Sequence, residues 1–479
     1  MTTETHTFVN PNTQKWALAI GSTASFMIGL DALVVSTALP VFRQHFNVDV
    51  ETLGWTMNAF TLAFAASILT GSTLGDKHGH RKVFMIGLVV FLASSLACAV
   101  APSSGLLITA RAIQGIGGGV AVPLSLAIIT SVTPPAQRGR AIGIWGAFTG
   151  LAVAAGPLIG GVIVEYFNWQ SIFWLNLPIG VIALVLTAVK LPNDSIRNSR
   201  TIDLVGLVLV VAGVFGIAEA LIRGNQTGWE SPTIIGGLLG GLVCSVVFMV
   251  WERRAKNPMM PTSLLANRGV SGGSVAGLAL AAGLYGSAFL SAQYFQVFEH
   301  ASSVGTGLRF LPQTGMALLV SPFVGRLADR IGERPLVAIG LASQGVGFFL
   351  LAWVAHQKSE YAGLVLPLLI AGLGPAFAYP TVTSAVMRAV RPQEAGVASG
   401  ISNTFRQIGA VLGTAIGVAI FSTYGSFRDE SSFISGYVPA IMGLGIISLV
   451  GCVFAVIMIP SFGPRQAVPQ PISSNDPPS

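Results

Sequence analysis

Fourteen apolar runs alternate with short polar stretches along the chain. They cover residues 16–38, 53–74, 83–101, 105–127, 140–163 and 170–189, then 204–222 and 233–251, then 271–295, 305–326, 335–355, 361–386, 397–422 and 438–459. An α-helix rises about 1.5 Å per residue, so about 20 apolar residues cover a hydrocarbon core of about 30 Å. Each run therefore predicts a membrane-crossing helix. The ten-residue alternation of a membrane barrel is absent from the sequence. The expected class is an all-α integral membrane protein with fourteen spans.

The cations between the runs sort by side. With the N-terminus placed in the cytoplasm, 19 Lys and Arg fall on that side, among them Lys77, Arg81, Arg138, Arg254, Arg330 and Arg391. Five fall outside: Arg43, Arg223, Arg309, Lys358 and Arg428. Cytoplasmic loops carry the excess of Lys and Arg, so both termini are expected inside, in the cell membrane.

Composition agrees and excludes the alternatives. Of 479 residues 52% are hydrophobic and only 9% charged, against about 25% charged in soluble domains. So little charge excludes a soluble enzyme, a secreted scaffold and a disordered chain. The net charge of +7 is explained by the cytoplasmic loops and implies no nucleic-acid partner; the bilayer is the solvent. Cys98, Cys244 and Cys452 lie far apart in apolar runs and read as small core residues. Residues 1–15 lack the pattern of a cleaved signal and read as a cytoplasmic segment. Residues 461–479, rich in Pro, Ser and Gln, read as a disordered cytoplasmic tail.

The chain repeats itself. Asp76, Gly79 and Arg81 recur as Asp329, Gly332 and Arg334 at a shift of 253, and Gly87 recurs as Gly340. Beyond that point the shift is 257: Pro123 to Pro380, Gly143 to Gly400, Gly156 to Gly413, Gly160 to Gly417. Two parallel six-helix repeats follow, at 16–190 and 270–460, with two extra spans in the segment 191–269 between them. Parallel repeats of this kind mark a large transporter architecture.

Several residues carry candidate chemistry. Asp31 lies about 22 Å from the inner surface, and Arg111 about 9 Å below the outer one. In a core of about 30 Å the two depths nearly coincide. A buried carboxylate has its pKa raised and a nearby Arg draws it down, which suits a proton-coupling site; a helix-packing ion pair is the alternative. The repeated loops, Asp76–Lys82 and Asp329–Arg334, place an acid, a turn glycine and an Arg where an interface must break and reform. Pro157 bends its helix, and the glycines at 146, 150, 156, 160 and 161 permit close packing that would seal the outward path. Arg406, flanked by Asn403 and Gln407, either lines a cavity or bridges helices. Glu219 reads as reaching to the interface from an extra span. Gln114, Trp55, Phe60, Tyr285, Tyr294, Tyr379 and Phe405 are further candidates for an aromatic cavity accepting lipophilic compounds. The six scattered His residues form no metal-ligand spacing, and there is no phosphate-binding loop, so neither a metal nor direct ATP drive is expected.

The segment from Gly325 to Arg334 resembles the loop motif of the major facilitator superfamily; in the first copy Ser72 replaces the leading Gly. Leu30–Pro40, Arg111–Gly117 and Gly150–Gly161 resemble motifs of its fourteen-helix drug:proton antiporters, as do Trp169–Gly180 and Asn403–Gly409. The resemblance implies two six-helix bundles plus two inserted helices, alternating access, and a monomer without cofactor, driven by the proton gradient. It implies Asp31 and Arg111 in proton coupling, the repeated loops as conformational latches, and Gly150, Gly156, Pro157, Gly160 and Gly161 as the antiporter motif. The implied substrates are hydrophobic, cationic drugs; export of one native metabolite is the alternative, with a membrane enzyme or channel further off.

Overall fold

The computed structural model describes residues 11–192, 203–255, 258–391 and 394–461. Most of the expected N-terminal segment, part of the linker and nearly all of the C-terminal tail lie outside the described residues. Among the described residues the regular elements are helical. They are α1 (Pro11–Phe46), α2 (Val50–His78), α3 (His80–Ala99), α4 (Ser104–Val132), α5 (Pro135–Tyr166), α6 (Ser171–Trp174), α7 (Asn176–Lys190), α8 (Leu204–Thr227), α9 (Pro232–Arg254), α10 (Thr262–Leu265), α11 (Arg268–Gln293), α12 (Ser303–Ile331), α13 (Glu333–His356), α14 (Tyr361–Arg388), α15 (Ala395–Tyr424) and α16 (Glu430–Met458). A π-helical turn, Tyr294–Phe298, extends α11.

Each apolar run coincides with helix, but not every helix passes as a span. Eleven helical segments are long and apolar enough to cross a bilayer, or up to thirteen if the bent α2 and α5 each count as one. The expected fourteenth corresponds to α12, which is as long but carries Arg309, Gln313 and Thr314 within its apolar run.

Polar side chains start these helices. Asp49, Ser103, Asp203, Asn267, Ser302 and Asp429 each accept a hydrogen bond from a backbone N–H of the first turn, at 2.8–3.4 Å. Such caps satisfy donors that the helix itself leaves unpaired. Hydrogen bonds from Ser432 and Ser431 hold the Asp429 carboxyl below its ordinary pKa. For Asp49, partial burial works the other way but is outweighed by bonds from Thr52 and Gln226. The turns α2–α3 and α12–α13 pivot on Gly79 and Gly332, with φ of 93° and 83°. Only glycine takes this backbone without strain.

The two halves pack by the same scheme. In the first, α2 and α3 pack on α4, α1 on α5, and α7 on α1 and α3. In the second, α12 and α13 pack on α14, α11 on α15, and α16 on α11 and α13. The match extends to atoms. A methyl on Gly87 would meet Gly117 O and Ala121 N, both at 3.1 Å, and one on Gly340 would meet Gly374 O and Ala378 N, both at 2.9 Å. Those neighbours are related by the sequence shift of 257. The bundles join through α1–α11, α5–α12 and α2–α15. The inserted α8 packs on both α2 and α15, and α9 lies behind it.

Candidate functional site

Side chains of α4 and α7 converge on Asp31 of α1, backed by α3 and α2. The carboxylate is 1% exposed and Arg111 of α4 is 0% exposed. Arg111 Nη1 donates to Asp31 Oδ2, pairing the charges. Gln114, one turn along α4, donates from Nε2 to Asp31 Oδ1 at 3.1 Å and accepts from Arg111 Nη1 at 2.8 Å. Asn176, the first residue of α7, donates to the same Oδ1 at 2.7 Å and to Ser95 Oγ at 3.0 Å. Ser95 in turn donates to Phe173 O at 2.9 Å. The guanidinium lies over the Phe60 ring at 4.3 Å from its centroid. Its Nε has no hydrogen-bond partner among the described residues, and the ring face is its substitute. In a low-dielectric interior the two charges offset one another, so removing either would leave the other unmatched.

The network was partly legible. The matching depths of Asp31 and Arg111 are now a contact, and Gln114 and Phe60 join it. Asn176 and Ser95 were not singled out as site residues. Another polar knot was missed: Trp145 Nε1 of α5 donates to Ser25 Oγ at 2.7 Å and Ser125 Oγ at 3.0 Å, tying α5 to α1 and α4.

The antiporter-motif glycines divide into two sets. A methyl on Gly156 would lie 3.0 Å from Leu33 Cβ, on Gly160 2.7 Å from Val34 O, and on Gly161 2.2 Å from Ser303 O. These let α5 lie against α1 and the start of α12. Pro157 belongs to the same crossing: Gly307 of α12 sits where a methyl would be 2.7 Å from Pro157 O. Gly146 and Gly150 face open space instead, which corrects the expectation of one continuous close-packed ladder. The contacts between bundles gather at the end of α5 away from Pro135. There Val304 N donates to Glu165 Oε2 at 2.7 Å, Gln296 Nε2 to Thr37 O at 2.9 Å, and Ser422 Oγ to Glu51 Oε1 at 2.8 Å. Toward the basic loops, a methyl on Gly143, Gly146, Gly315 or Gly325 would meet nothing within 4 Å among the described residues, so α5 and α12 present open flanks there.

The repeated loops differ in detail. In the first, His80 Nε2 lies 3.0 Å from Asp76 Oδ1, and Arg81 Nη2 donates to Ala188 O of α7. In the second, Glu333 is 2% exposed and accepts from Arg388 Nη1 at 3.0 Å and from Ser384 Oγ at 2.8 Å. This pair joins α13 to α14 and was not anticipated; Asp329 and Arg334 flank it. Glu333→Ala is expected to cost about 2–3 kcal/mol, less than for a fully buried pair because Arg388 is partly exposed. Thermal unfolding in detergent checks this, with Glu333→Gln the milder change; unaltered melting of both would remove the pair's role.

The aromatic candidates scatter. Tyr379 of α14 stacks under Arg406 of α15, with the guanidinium 4.9 Å from the ring centroid. Arg406 Nη2 also donates to Asn403 Oδ1. Tyr285 of α11 belongs to the buried core against which Tyr379 packs. Gln407 is partly buried beside them in sequence. Trp55, by contrast, stacks on Phe215 of the inserted α8 at 5.2 Å. Phe405 packs in an apolar cluster with Leu209 and Val210 of α8. Tyr294 is 0% exposed and stacks on Tyr437 at 4.6 Å. Those three make packing contacts, and none is seen stacked on Arg406 among the described residues. Glu219 pairs with Arg223 at 3.1 Å one turn along α8.

Two bundles of matching helix pairing, closed on each other at one end, with a buried charge pair inside the first, define a membrane transporter fold. The family model described as Major Facilitator Superfamily matches residues 21–414, and the chain belongs to that family. It is 35% identical over 405 residues to multidrug resistance protein Stp of Mycobacterium tuberculosis, covering 84% of this chain and 75% of that one. It is 32% identical over 452 residues to the cephamycin export protein CmcT of Amycolatopsis lactamdurans, covering 93% of each. Among solved structures, a POT family transporter in complex with 5-aminolevulinic acid superposes with a TM-score of 0.69 at 14% identity, covering 92% of this chain and 96% of that one. The chain is a multi-span membrane transporter with multidrug-resistance and antibiotic-export homologues.

Proposed function

We propose that the protein is a proton-coupled exporter of hydrophobic compounds in the cell membrane, working as a monomer by alternating access. The observation that carries this is the fully buried Asp31, paired with Arg111 and held by Gln114 and Asn176. A carboxylate so placed gains or loses its proton only when the bundles rearrange around it. In this reading the basic loops face the cytoplasm, the α5–α12 crossing closes the outer side, and the Asp76 and Asp329 loops latch the inner side. The proton gradient supplies the energy and no cofactor is required. Relatives named for drug resistance and antibiotic export support the direction of transport.

The expectation of cationic substrates finds no support in the charges of the bundles. Asp31, the acid at depth, is already matched by Arg111. A single native metabolite remains the second reading, favoured by relatives named for export of one antibiotic. Everted vesicles containing the protein are expected to accumulate a lipophilic fluorescent dye when the interior is acidified, and to lose it on addition of a protonophore. Accumulation that ignores the gradient would refute proton coupling.

A further inference from the structure

Arg406 is the charge that the proton site does not use. It lies eleven residues beyond Ala395, the start of α15, or about 17 Å along the helix. Three other arginines of the bundles are matched by carboxylates: Arg111 by Asp31, Arg309 by Glu299 and Arg388 by Glu333. Arg406 has no carboxylate partner among the described residues; its contacts are the Asn403 oxygen and the Tyr379 ring. The Nε–Nη1 edge of its guanidinium makes no hydrogen bond among the described residues. Nor do the hydroxyls of Tyr285 and Tyr379. The partly buried amide of Gln407 lies one residue away. A charged side chain at this depth, partly exposed, faces protein interior or water rather than lipid. The surroundings are therefore rich in donors and lack an anion.

We infer that the Arg406–Tyr379–Tyr285 group is the substrate-charge selector of the transporter, and that it receives an organic anion, a carboxylate or ionised phenol on an aromatic body. The free guanidinium edge fits a carboxylate through two parallel hydrogen bonds. The tyrosine rings supply flat apolar faces, and their hydroxyls supply further donors. A cation would meet like charge at Arg406 with no free carboxylate to offset it. The selector lies on the second bundle and Asp31 on the first. Proton and substrate are then linked through the rocking of the bundles, not through competition for one carboxylate.

This assignment rests on reading the chain as an exporter, and the test separates the two. Three probes with one ring system are titrated into the purified protein near neutral pH: 2-naphthoate, its neutral methyl ester and 2-naphthylmethylammonium. The wild type is expected to bind the naphthoate most tightly. Arg406→Gln is expected to weaken the naphthoate about 10- to 100-fold, the range for a lost charged hydrogen bond, while the ester changes less than about twofold. Arg406→Lys should restore part of the loss, since it keeps the charge without the fork, and this guards against a merely misfolded Arg406→Gln. A wild-type preference for the ester or the ammonium, an equal loss for all probes in Arg406→Gln, or binding of none overturns the proposal. Failure of the exporter reading appears separately, as no gradient-driven accumulation in vesicles with the naphthoate selectivity intact.

Discussion

Replacing Asp31 by Asn abolishes gradient-driven transport while the protein still folds. Asn is close in shape and keeps an oxygen for Asn176 Nδ2 and Gln114 Nε2, which now donate at 2.7 and 3.1 Å. It cannot ionise, so the step in which a proton is taken up and released is lost. Arg111, 0% exposed, is left charged without its counter-ion, and breaking such a buried pair costs about 3–5 kcal/mol. The single variant should therefore melt earlier than the wild type yet elute as a folded, monodisperse species. Adding Arg111→Gln removes the orphaned charge. The double variant is expected to regain stability and remain inactive. Uptake in everted vesicles, with melting in parallel, reads both effects. Wild-type uptake by Asp31→Asn would end the assignment; recovery of uptake along with stability in the double variant would make the pair structural only.

How much of this was readable beforehand depends on what hydrophobicity records. Helix rise is fixed, so the positions of Asp31 and Arg111 along their runs gave their depths, and a shared depth anticipated the contact. Gln114 follows Arg111 by three residues and shares its helix face. Rotation is another matter. A helix apolar on every side does not announce which face meets which neighbour. That is why Asn176 and Ser95 were not read as site residues, although Asn176 donates to Asp31 and to Ser95. It is also why the contacts of Trp55 and Phe405 with α8 were not foreseen: the sequence contains α8 but not its docking site across α2 and α15. The repeat was legible because glycine crossings demand glycine. Gly87 and Gly340 sit so close to backbone atoms of α4 and α14 that a methyl would lie 3.1 and 2.9 Å from them. Glu333 was not foreseen as a buried pair because its partner Arg388 lies 55 residues away in the chain.

A methyl group on Gly161 should disable the transporter by holding its outer side open. The added Cβ would lie 2.2 Å from Ser303 O and 3.2 Å from Val304 Cα. These are backbone positions at the start of α12, so no side-chain rotation relieves the overlap. α5 and α12 must separate, at a cost of about 1–3 kcal/mol for overpacking. The cost falls only on the form in which the two helices touch, so it shifts the balance between forms by about 5- to 150-fold. A cysteine at Gln296, whose side chain now bonds to Thr37 O across the same closure, reports the shift. In Gly161→Ala it should react faster with a membrane-impermeant maleimide applied to whole cells, and uptake in everted vesicles should fall with it. Gly150→Ala is the control, since a methyl there meets open space in the same helix and motif. It is expected to leave both readouts near wild type. Equal damage from the two substitutions would mean that the motif acts through helix propensity or folding; no change in Gly161→Ala would mean that the α5–α12 crossing is not the outer seal.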